Sequence, residues 1–114
     1  MREHSAPLTI TGVDPVLDFL DGALTRLGLH TAVRLPLLSA AEELMFAALA
    51  LAKGQEGQVF CSPERPGGLR LSFRTRAGPL LPDGEGLVLP DRLSLRLEGA
   101  VYIIVPETGS GLNV

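Results

Sequence analysis

The spacing of apolar residues changes once along this chain, near Gly54, and that change does most to restrict the fold. Before it, apolar residues recur at helical intervals: Val16, Leu17, Leu20, Leu24 and Leu27 in one run, Leu44, Ala47, Ala48, Leu51 and Ala52 in another. After it the interval drops to two, most clearly in 69-LRLSFRTR-76, where Leu69, Leu71 and Phe73 alternate with Arg70, Arg74 and Arg76. Helices early and strands late must bury their apolar sides on each other. The expected architecture is a two-layer α/β sandwich, its sheet mixed but mostly antiparallel, with helices on one face. At 114 residues the chain is sized for one domain with one core.

Residues 1–13 read as a flexible N-terminal arm with a short strand at Leu8–Thr11, and residues 14–114 as a single α/β domain. Asp14-Pro15 matches the start of a helix and Gly28 its stop. The segment 32-AVRLPLL-38 reads as extended, because Pro36 suits an edge or a strand end. Ser39 then caps a second helix, Glu42 completing a capping box three residues on, and Gly54 ends it. Its stripe of Leu44, Ala48 and Leu51 is expected to pack on Leu71, Phe73 and Ile103. Gln58–Cys61 reads as a short strand, Ser62–Gly68 as a turn, and Val101–Val105 as a strand. Arg92–Glu98 has two readings: Leu93, Leu95 and Leu97 alternate as in a strand, whereas Asp91 is placed to cap a short helix.

Composition excludes several classes of function. A formal net charge of -3 argues against non-specific nucleic-acid binding, which needs basic residues to neutralise phosphates. The single cysteine, Cys61, allows neither an internal disulfide nor a cysteine zinc site, and without a nearby His or Lys it is expected to be unreactive. The N-terminus lacks an apolar segment of signal-peptide length, and the run Ala47–Ala52 is too short to cross a bilayer, so a cytoplasmic protein is expected, with no membrane partner. His4 and His30 have no metal partner at a recognisable spacing, so no metal site is expected. Asp14, Asp18 and Asp21 share a helical face and read as a solvated acidic surface.

Three stretches carry a family resemblance: 41-AEELMFAALALAKG-54, the hairpin 58-QVFCSPERPGGLRLSFRTRAG-78, and 97-LEGAVYIIVPETGSGLNV-114 with Gly99, Gly109 and Gly111. In order and spacing the chain resembles a degenerate member of the GHKL superfamily, the histidine kinase-like ATPase fold, nearest to the anti-sigma-factor serine kinases. The resemblance implies an ATP site with magnesium, and the departures bear on that site. In the family a helix acid is followed four residues later by a magnesium-binding Asn; here Glu42 and Glu43 are followed by Phe46 and Ala47. The aspartate that contacts adenine is replaced in 74-RTRAGPLL-81 by Arg76, with 83-DGEG-86 a few residues late.

Two functional readings follow. In the first, the domain is a non-catalytic regulator in signalling or transcription control and takes no cofactor. It binds a protein partner, an acidic one, or a second copy of itself, through Arg70, Arg74 and Arg76. In the alternative it is a divergent serine kinase that binds ATP with magnesium, using Glu43 as the base and Asp83, Gly84 and Gly86 for the nucleotide.

Overall fold

A computed structural model describes residues 3–83, 87, 90 and 92–107. The elements are β1 (His4–Pro7), α1 (Ile10–Arg26), α2 (Thr31–Ala52), β2 (Gly57–Glu64), β3 (Gly68–Thr75), β4 (Gly78–Leu80), β5 (Leu93–Glu98) and β6 (Val101–Pro106). The described residues thus make a mixed α/β protein with one sheet and two helices, compatible with an α/β sandwich.

Strand order is β1-β2-β3-β6-β5, with β4 pairing β3 off that path. Where a mixed sheet is expected, all the pairings among the described residues are antiparallel. Leu69–Leu71 of β3 pair with β6, and Phe73–Thr75 pair with β4. Arg92–Glu98 resolves as strand from Leu93 onward; Asp91 lies outside the described residues.

The two helices differ from expectation in where they begin. β1 occupies residues read as an arm, one turn of chain earlier than the expected Leu8–Thr11 strand, and α1 starts at Ile10. The Thr9 hydroxyl accepts from the Gly12 amide at 3.1 Å and so caps this helix ahead of Asp14. Pro15 consequently lies inside α1, and Pro36 lies inside α2, which begins at Thr31 rather than after Ser39. The segment 32–38 is therefore helical and not extended. A proline removes the bond to the carbonyl four residues earlier. The residues that lose it, Thr11 and Ala32, are exposed, where an unpaired carbonyl costs little.

Both helices end as their glycines indicate. Gly28 has φ +85°, and the Leu29 amide reaches back to the Leu24 carbonyl at 3.2 Å. Lys53 (φ 52°) and Gly54 (φ 81°) unwind α2. Across the turn between the helices, Arg34 Nε donates to Asp21 Oδ1 at 2.7 Å and Arg34 Nη1 to the Leu29 carbonyl at 2.9 Å. Asp21 is therefore half-buried and paired, while Asp14 and Asp18 remain exposed as expected.

The core lies between the helices and one side of the sheet. Val16, Leu20 and Leu24 of α1, and Leu37, Leu44, Met45 and Ala48 of α2, are fully buried with Leu69, Leu71, Phe73 and Ile104. Two residues of that expected contact fall elsewhere. Leu51 is 46% exposed near the end of α2, and Ile103 points away from the helices. By length and apolar content alone α2 meets the requirement for a bilayer-spanning helix, with a mean hydropathy of 1.6, but its buried side packs on the sheet.

Candidate functional site on the open sheet face

Strand alternation separates two faces. Along β6, Tyr102 and Ile104 turn toward the helices, so Val101, Ile103 and Val105 turn to the other side. Antiparallel register then decides what stands beside them: Arg70 on β3 and Arg96 on β5 are both direct cross-strand partners of Ile103. Among the described residues no helix covers this face, yet Ile103 is only 2% exposed. The two arginines beside it have long aliphatic stems of the kind that shield apolar surface while their charged heads stay in water. Arg70 Nη1 lies 3.8 Å from Glu64 Oε1, and Arg96 Nε donates to Glu98 Oε2 at 2.7 Å.

The outward row next to this one brings together Ser5, Phe60 and Ser72, with Gln58, Arg74 and Pro79 beyond it. A hollow of about 180 Å³ is lined by Phe60, Ser62, Arg70, Ser72 and Val101. A larger open groove of about 830 Å³ runs at the end of the sheet where β2 begins, with Leu8, Leu49, Ala52, Phe60, Arg74 and Arg76 among its walls. Gly68 lets β6 approach β3 on the open face. A Cβ there would lie 2.5 Å from the Ile104 carbonyl oxygen and 2.6 Å from Val105 Cγ1.

The three arginines read from the sequence do not form one row. Arg70 and Arg74 share the outward face of β3, whereas Arg76 lies past its end in the turn to β4. Arg96 joins Arg70 across the strand between them. Sequence reasoning missed it because Arg92–Glu98 was open between helix and strand; the two-residue turn Gly99-Ala100, which sets Glu98 opposite Val101, carries the signal.

The residues of the alternative ATP reading are arranged differently. Glu43 is exposed, on the side of α2 opposite buried Leu44, Met45 and Ala48. The segment 74–81, in which Arg76 stands where the resemblance calls for an aspartate, folds as a tight hairpin, Leu80 standing opposite Phe73. Asp83 follows buried Pro82, whose carbonyl accepts a hydrogen bond from the Tyr102 hydroxyl. Burial, and then the nearby Asp83 charge, raise the Tyr102 pKa. Gly84 and Gly86 lie outside the described residues.

Cys61 is buried on the helix side of β2, and its thiol is pushed from 9.0 up to about 12 by burial first, then by the Glu3 charge. His4 stacks on Phe19 with ring centroids 4.8 Å apart. Among the described residues no three His, Cys, Asp or Glu side chains come together as a metal site. No known protein family matches this chain, and no curated protein is significantly similar to it.

Proposed function

We propose that this protein is a non-catalytic regulatory domain of the histidine kinase-like ATPase fold, acting in the cytoplasm in signalling or transcription control by binding an acidic protein. The order of two helices followed by strands supports the fold assignment. The observation that carries the functional reading is the open sheet face, on which Arg70 and Arg96 flank Ile103 and Arg74 stands four residues further along β3. Guanidinium groups held by strands on a surface with a covered apolar centre suit carboxylates on a partner. Charge at such a surface sets association rate and register more than affinity.

The test compares affinity capture by the wild type and by the double variant Arg70→Glu, Arg74→Glu, at low and high salt. Both chains should fold alike, and the variant should lose the wild type's partner, with the larger difference at low salt. Identical partners and identical sedimentation for both chains would remove this face from consideration. A calorimetric titration with magnesium and an ATP analogue separates the kinase alternative. Saturable binding abolished by Asp83→Ala would replace the proposal with that reading.

A further inference from the structure

Among the described residues the main path of the sheet ends in β1 and β5, with the short β4 paired only to β3, and the two end strands are built unlike each other. β1 is four residues long and ends in Pro7, which has no amide to offer a further strand. β5 is six residues long, contains no proline or lysine, and among the described residues is paired on one side only, by β6. It also exposes Leu97, 46% accessible, between two oppositely charged side chains, Arg96 and Glu98.

We infer that β5 is a self-association edge, its last three residues, Arg96–Glu98, joining those of a second copy of this chain by antiparallel pairing. The occupant follows from the order of charges. A two-fold axis perpendicular to the sheet keeps the helices of both copies on the same side, so residues facing each other must come from the same face. When Leu97 stands opposite itself, Arg96 meets Glu98 of the second copy and Glu98 meets Arg96 of the second copy. Both ion pairs form at once on the open face, and the two exposed leucines meet on the other. Sliding by one such step sets Arg96 against itself. Sliding by two sets Arg96 against Ser94 and leaves it without a carboxylate opposite.

The experiment is sedimentation equilibrium on the full chain from about 10 μM to about 1 mM, a range that brackets weak self-association. Wild type should show a monomer–dimer equilibrium, and amide exchange in β5 should slow as concentration rises. Arg96→Glu alone sets four acids across the interface, and Glu98→Arg alone sets four bases there. Each should weaken the dimer about tenfold or more, since two facing pairs turn from attraction to repulsion. Mixing these two variants restores both opposite pairs in a heterodimer, so the mixture should associate about as well as wild type. A monomer at every concentration would overturn the inference. So would a dimer that Arg96→Glu leaves intact, or variants that circular dichroism shows folded but whose mixture stays monomeric.

Discussion

Ile103 and Ile104 are neighbours on one strand and both are buried, yet they are covered in different ways. Ile104 sits in a core of helix side chains and is 0% exposed; Ile103, 2% exposed, lies on the uncovered face between Arg70 and Arg96. The first is enclosed by apolar groups fixed from both layers. The second has long, charged side chains for neighbours, whose stems can shield apolar surface while their heads stay in water. The same accessible area therefore reports two different surroundings, a packed interior and a sheet face lined by charged side chains.

That contrast is open to direct measurement. Ile104→Ala should lower stability by about 2–5 kcal/mol, because helices and sheet relax little around the cavity. Ile103→Ala should cost only about 1–2 kcal/mol, because the arginine stems can lean into the space. Urea unfolding of both variants is the check, and equal losses would mean that the open face is packed as rigidly as the core.

Cys61 sharpens the inner side of the comparison through pH. Its thiol stays protonated in the folded chain up to about pH 12, whereas the unfolded thiol releases its proton near 9.0. The unfolded state therefore binds fewer protons in that window. The stability due to the neutral buried thiol is complete below pH 9 and falls as pH rises toward 12, by about 1.4 kcal/mol per pH unit. Unfolding curves at two pH values in that window, compared with Cys61→Ala, isolate this slope; parallel behaviour of the two proteins would show that the thiol is not sealed. Asp18, exposed on α1, marks the lower bound, and Asp18→Ala should move the urea midpoint by no more than about 0.5 kcal/mol of stability.

The strands were more legible in the sequence than the helix starts. Alternation in 69–76 gives β3 and its inward side chains, because period two is imposed by backbone geometry, and the apolar, β-branched run 101–105 gives β6. The prolines misled in both helices for one physical reason. Pro15 resembled a helix start and Pro36 an extended segment, but each sits inside a helix whose packing outweighs one missing hydrogen bond. Ser39-Glu42 was a capping signal without a free helix end beneath it. At the open face, Arg70 and Arg74 were readable from their own strand. Arg96 and Ile103 were not, since their adjacency depends on which strand lies next to which, and no local pattern encodes that order.

The place of β1 has a consequence for the order in which the chain assembles. β2 with β3, and β5 with β6, are neighbours in sequence and close through short turns, whereas β1 sets His4 opposite Cys61 only after both helices have been laid down between them. Closing so long a loop is entropically slow and is repaid by a strand of four residues. The two hairpins and the helix pair are thus the early units, and β1 is the latch that shuts last and opens first. In native-state hydrogen exchange its amides should be released by a local opening that leaves β3 and β6 protected.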